Sequence, residues 1–242
     1  MKVIVPDYYK DFQCIADRCR HTCCIGWEID IDEDSLERFE RDADIAAHIE
    51  HSDVAHFRLL DGERCPFLNQ DNLCDLILKH GEGILCQICR DHPRFRNFWA
   101  DRVEMGLGLV CEEAARLILT QQTPMRLEVL SDDGADTQQP EDEAWLMQLR
   151  ERLLQTELTG AQARLWEYLV YRHLADALYD DRVEERIAFI QHSFDELMQS
   201  WAKTDGSIDA LVDVVRVWSY DIEYDDEELE RRLALEEEQT ER

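Results

Sequence analysis

Apolar residues recur along this chain with two different rhythms, and the change between them divides it. In the second half the spacing is helical. Val183, Ile187, Ile190, Phe194, Leu197 and Trp201 fall three or four residues apart, which is the stripe of an amphipathic helix facing a core. Trp166, Leu169, Val170, His173 and Ala177 make a second stripe, and His173 reads there as a satisfied core histidine rather than a ligand. Ile208 to Trp218, after the Asp205–Gly206 break, is a third and more apolar helix. The residues from 225 to 242 are charged almost throughout and read as an exposed, fraying helix.

The first half lacks that regularity. Residues 3–14 read as a short extended or loop segment in which Tyr8, Tyr9 and Phe12 can pack beside cysteines. The stretch IGWEIDID alternates apolar and polar residues as a short extended piece would. Asp34 and Glu37 make a capping-box pattern, followed by Leu36, Phe39 and Ala43, which predicts a helix over 35–49. Turns at Asp61–Gly62 and Asn69–Asn72 join short extended pieces, and the second brings Cys65 near Cys74. Residues 81–95 read as a loop carrying Cys86, Cys89 and, with its flank, the basic residues Arg90, Arg94 and Arg96. From Cys111 the pattern turns helical again.

Residues 131–143 hold six acids and no base, a composition that builds no core and reads as a linker. The expected organisation is a cysteine-cluster metal-binding region at 1–130, that linker, a helical region at 144–224 and a charged tail at 225–242. The expected fold class is mainly α. A cysteine-rich, metal-binding N-terminal region with a few short strands packs on a C-terminal helical bundle.

Charge narrows the partners. A net charge of −29 over 242 residues opposes nucleic acid and anionic membrane surfaces, and it draws in basic or lysine-bearing partners. No apolar run reaches the roughly 18 residues that a membrane span needs, and the opening MKVIVPDYYK has no secretory apolar core. The expected location is the cytoplasm, where disulfides do not persist and clustered thiols bind metal or do redox chemistry.

Nine cysteines then become the main signal. Four lie in the eleven residues CIADRCRHTCC, from Cys14 to Cys24, and the others are Cys65, Cys74, Cys86, Cys89 and Cys111. This exceeds one structural zinc site, and only Cys86–Cys89 has the C-x2-C knuckle spacing. Thiolates suit zinc, Cu(I) and iron–sulfur clusters alike. An adjacent pair such as Cys23–Cys24 chelates one small ion poorly, which favours a cluster and leaves zinc as the alternative.

Taken together, FQCIADRCRHTCCIGWEIDID, CPFLNQDNLC and ICRDHPR resemble the CxxCxxCC cysteine-cluster proteins, and among them the flagellin lysine-N-methylase family. The chain departs from that pattern at His92–Pro93–Arg94 and at Val110–Cys111–Glu112. The resemblance implies a [4Fe–4S] protein that methylates lysines of flagellin with S-adenosylmethionine. It implies as metal ligands Cys14, Cys19, Cys23, Cys24, Cys65, Cys74, Cys89 and Cys111; Cys86 falls outside the shared pattern and reads as a buried thiol. The rival expectation is a protein that stores, senses or delivers iron or zinc without catalysis.

The residues alone do not supply an ordinary methyltransferase site. Gly81–Gly83 and Gly106–Gly108 lack a third glycine and read as turn residues without a buried strand before them. The C-x3-C-x2-C radical signature is absent, since Gly26 stands where its third cysteine would be. Arg90 and Arg94 are candidates to hold the cofactor carboxylate. Glu28, Asp30 and Glu104 are candidate bases, and nothing in the sequence selects among them.

Overall fold

A computed structural model describes residues 1–134 and 139–240. In chain order its regular elements begin with β1 (Lys2–Pro6), α1 (Glu33–Phe39), α2 (Ala43–Ala46), β2 (Ile49–Glu50) and β3 (His56–Phe57). Next come α3 (Asp75–His80), α4 (Gln87–Asp91), β4 (Arg94–Phe98), β5 (Arg102–Leu107), α5 (Glu112–Leu119) and β6 (Leu127–Asp132). The helices α6 (Glu141–Leu153), α7 (Gly160–His173), α8 (Ala177–Asp180), α9 (Val183–Trp201), α10 (Ile208–Trp218) and α11 (Asp226–Thr240) complete the chain. The protein divides into two compact units: one is Cys14–His92, and the other joins Met1–Gln13 to Pro93–Arg242.

In the larger unit a four-stranded sheet has the order β4-β5-β1-β6, with β1 parallel to β5 and the other neighbours antiparallel. The helical stripes seen in the sequence do what their periodicity demands. Leu165 and Leu169 of α7, Phe189, Ile190 and Leu197 of α9, and Leu211, Val212 and Val215 of α10 enter one core with Ala114, Ala115 and Ile118 of α5. The boundaries of α9 and α10 are those the stripes predict. The C-terminal helix departs from expectation. Leu233 of α11 is fully buried in this core, and Arg232 pairs with Glu196 of α9 at 2.6 Å, so the segment is docked rather than exposed.

Two charged groups lie inside this unit. On β5, Glu104 is wholly buried and accepts from Arg102 Nε (2.9 Å) and from Arg150 Nη1 and Nη2 (2.6 and 3.1 Å). Glu223, in a π-helical turn at Ser219–Glu223, accepts from Tyr168 Oη (2.8 Å) and Ser219, meets His173 Nε2 at 2.9 Å and pairs with Arg172 Nε at 2.9 Å. Burial by itself raises the Glu223 carboxyl; Arg172, His173 and Ser219 outweigh it and hold the group below the usual carboxylate range. His173 is thus a satisfied core histidine, as its place in the α7 stripe predicts.

Several local expectations are corrected. Gly106 lies within β5, a partly buried central strand, and Gly108 follows it directly before α5. The reason for glycine is packing. A Cβ on Gly106 would stand 2.2 Å from the Phe95 ring, and one on Gly108 would stand 2.7 Å from Tyr224 Oη. Ser131 and Asp132 of the expected linker belong to β6 and 141–143 open α6, while 135–138 lie outside the described residues.

In the smaller unit the helix expected over 35–49 is broken into α1 and α2. Asp32, not Asp34, caps α1, accepting from Ser35 N at 3.0 Å. The core of this unit is Ile29, Ile31, Phe39, Ile45, Ile49, Phe57, Phe67, Leu68 and Leu76, together with Cys65 and Cys86.

Candidate metal centre

Five of the nine thiols share that small core: Cys65 and Cys86 are buried in it, and Cys24, Cys74 and Cys89 pack against it half-buried. Short-range backbone pairing brings them together. Cys65 N donates to Cys24 O at 2.9 Å and Gly26 N to Glu63 O at 3.1 Å, which lays Cys24–Gly26 alongside Glu63–Cys65. Beyond it the chain reverses through Asn69, whose Oδ1 accepts from Asp71 N (2.9 Å) and Leu73 N (3.0 Å). Asn72, in the left-handed region at φ 56°, completes the reversal. The Arg64 guanidinium ties it down by donating to the Leu68 and Asn69 carbonyls. An isolated bridge between Leu68 and Cys74 then returns Cys74 beside Cys65, as the turn residues predict.

Cys86 and Cys89 arrive on a separate support. The stretch expected to be a loop forms α4, with Cys86 at its N-cap and Cys89 inside it. The same Asp32 carboxylate that caps α1 also accepts from Gln87 N at 2.7 Å, so one side chain fixes the starts of both helices. Arg38 of α1 donates to Gly83 O at 3.0 Å and holds the approach to α4.

The thiols feel one another. The hydrogen bond from Cys23 lowers Cys24 to about 7 against the opposing effect of burial, with further help from Thr22 and Arg64. Burial pushes Cys65 up to about 12, and nearby Cys24 and Cys74 add to the rise. Burial also raises Cys74. Cys86 and Cys89 share a hydrogen bond that lowers Cys86 and raises Cys89, and Cys89 is raised further by burial and by Cys24 and Cys65. Among the described residues, no three acids, histidines or cysteines stand in a group that could already hold a metal ion. The donor chemistry nevertheless fits a thiophilic centre: five soft sulfurs, three of them with raised pKa, surround one small core.

The other expected ligands are placed differently. Cys14 and Cys23 are exposed, and Cys19 is half-buried with its Sγ donating to His21 O at 3.1 Å. Cys111 belongs to the larger unit, where it is the N-cap residue of α5 and lies in electrostatic reach of Tyr224. Cys86, set outside the expected ligands, lies in the thiol cluster. Its C-x2-C spacing to Cys89 was the signal that pointed there.

The candidate cofactor and base residues are spread over both units. Arg90 is exposed on α4 of the smaller unit. Arg94 is in β4 of the larger unit, its guanidinium 5.7 Å from the Tyr9 ring and 5.4 Å from Phe12. Glu104 is consumed by Arg102 and Arg150, which removes it from the candidate bases, whereas Glu28 and Asp30 are exposed. Trp99 is core, with Arg102 4.7 Å and Arg150 5.3 Å from its ring. Trp27 donates Nε1 to Cys23 O at 2.9 Å and meets His92 edge-on.

No protein-family model and no solved structure matches this chain. Curated proteins do. A lysine-N-methylase of Salmonella choleraesuis is 29% identical over 139 residues, covering 52% of this chain and 34% of that protein. Its counterpart in Salmonella typhimurium is 28% identical over the same shares. The flagellar biosynthetic protein FliU of Salmonella muenchen is 26% identical over 141 residues, which is 52% of this chain and 81% of FliU. The match thus spans about a third of the length of the two methylases. The resemblance carried by the cysteine motifs is matched along half of the chain, and it makes this protein a divergent relative of the flagellin lysine-N-methylase family.

Proposed function

We propose that this protein is a metal-dependent lysine N-methyltransferase acting on flagellin or a similar lysine-bearing protein, with an iron–sulfur cluster and S-adenosylmethionine as cofactors. The observation that carries the reading is the thiol group Cys24, Cys65, Cys74, Cys86 and Cys89 around one core, in a chain related to lysine-N-methylases. These five are the residues that would hold a cluster, with Cys14, Cys19, Cys23 and Cys111 as further candidates. When bound, the cluster supplies a Lewis-acidic iron and S-adenosylmethionine supplies the methyl group.

The chain's own share of the chemistry is to gather the substrate and to take a proton. Its net charge of −29 attracts a lysine ammonium, but the same field raises the ammonium pKa and works against the neutral amine that attack requires. A base close to the lysine is therefore needed, and the exposed Glu28 and Asp30, just after Cys24, are the carboxylates placed for it. Arg94, stacked on Tyr9 and Phe12, and Arg90 are the candidates to hold a carboxylate by paired N–H donors.

The match to only a third of the methylases favours one second reading, a metal-binding protein that stores or delivers iron or zinc. Anaerobic purification with metal and sulfide analysis, followed by transfer from labelled S-adenosylmethionine to flagellin, separates the two. Iron with labile sulfide and labelled lysine is expected. A colourless zinc protein, or a loaded protein that labels no lysine, overturns the proposal.

A further inference from the structure

β6 is an edge strand of unusual exposure. It pairs only with β1, and all six of its residues, Leu127–Asp132, are exposed, so neither face of the strand is covered. Three of them are apolar: Leu127 is 40%, Val129 54% and Leu130 42% exposed. Water-facing leucine and valine on an open edge are an aggregation hazard that folded proteins ordinarily remove. The opposite edge shows such protection. On β4 the Asn97 side-chain amide donates to the Tyr171 carbonyl at 2.9 Å, and the Tyr179 hydroxyl donates to the Phe98 carbonyl. Among the described residues, the backbone of β6 makes no hydrogen bond on its outer side.

Charge selects the occupant. Glu128 and Asp132 lie within the strand and Asp133 follows it. A second copy pairing on the same edge would set these acids against their equivalents, and like charges across a strand pair are unfavourable. A basic strand would instead place lysines beside them while its apolar residues cover Leu127 and Val129. A register shift between Val3 and Ile4 leaves Leu130 as the extra residue of a bulge, so the regular edge is Leu127–Val129 and the docked segment is short.

We propose that β6 is a docking edge for a short, extended, lysine-bearing polypeptide segment, which adds to the sheet as a fifth, antiparallel or parallel strand. The inference deepens the proposed function by naming where a lysine-bearing protein is gripped. It is read by binding alone, so it can fail while methyl transfer survives, and the reverse.

The test uses the full chain and a fluorescein-labelled peptide of alternating lysine and valine, followed by anisotropy at several salt concentrations. Backbone N-methylation of alternate peptide residues should weaken binding by about tenfold, since it removes strand hydrogen bonds and keeps every charge. Val129→Glu should weaken it several-fold although it adds an acid, with far-UV circular dichroism confirming the fold. Replacing the peptide lysines by glutamates should abolish binding. Equal binding of the N-methylated peptide, or tighter binding to Val129→Glu, would show diffuse attraction to an acidic surface and overturn the proposal. Concentration-dependent dimerisation abolished by Val129→Glu would assign the edge to a second copy and overturn it equally.

Discussion

Replacing Glu104 by alanine tests how the sheet of the larger unit is held. The carboxylate is wholly buried and receives three charge-assisted hydrogen bonds at 2.6–3.1 Å from Arg102 and Arg150, which are 5% and 6% exposed. Burial alone would lower the Arg150 pKa, yet Glu104 raises it, so the guanidinium stays charged inside the protein. Arg102 keeps Asp101 at 3.0 Å after the change, whereas Arg150 keeps only the Trp99 and Tyr171 rings, at 5.3 and 5.8 Å. Removing one partner of a buried pair costs about 3–5 kcal/mol because a desolvated charge remains. With a urea m-value of about 3 kcal/mol/M, the midpoint of the larger unit should fall by about 1–1.5 M. Tryptophan fluorescence reports it, since Trp99 lies against both arginines. The double variant Glu104→Leu/Arg150→Met removes both charges and should lose distinctly less than Glu104→Ala. A loss under about 1 kcal/mol in Glu104→Ala, or a double variant as poor as the sum of the singles, would refute the reasoning.

Four further outcomes are expected. Burial lowers the His173 pKa, with Glu223 opposing; the unfolded chain therefore takes up a proton near pH 6.5 that the fold resists, and stability present above that pH declines as pH falls. Urea midpoints from pH 8 to 5 should show this, and His173→Gln should flatten the decline; an unchanged slope counts against it. Metal uptake should release protons and weaken as pH falls, because burial raises Cys65 to about 12 and raises Cys74, and Cys86 raises Cys89; calorimetry in buffers of different ionisation enthalpy measures the release, and its absence would be decisive. Cys86→Ser should lower metal content as much as Cys89→Ser does, whereas a fully loaded Cys86→Ser protein would return Cys86 to the role of a buried thiol. Gly106→Ala should destabilise the larger unit by about 1–3 kcal/mol through collision with Phe95, and Phe95→Leu should recover part of that in the same urea assay.

Legibility differed sharply between the two kinds of structure. The stripes of α9 and α10 were read to their ends because a helix buries a face set by local spacing alone. The tail was misjudged because a charged sequence says nothing of where Leu233 finds a partner. The helix expected over 35–49 stops at Phe39, and its cap lies two residues earlier than the capping-box pattern indicated. That shift has a tertiary cause, since Asp32 is drawn to serve Gln87 N as well as Ser35 N.

For the metal centre, the sequence by itself determined the chemistry: nine thiols, the Cys65–Cys74 reversal and a motif shared with lysine-N-methylases. Spacing and residue type carry that information because ligand softness and turn geometry are local properties. Which thiols meet was decided only by the tertiary structure. The pairing of Cys24 with Cys65 joins residues 41 apart in sequence. The α4 support that carries Cys86 and Cys89 is set by an aspartate on another helix cap. The same holds for Glu104, a plausible base in the sequence and a buried counterion in the fold, because burial is a property of packing and not of the residue.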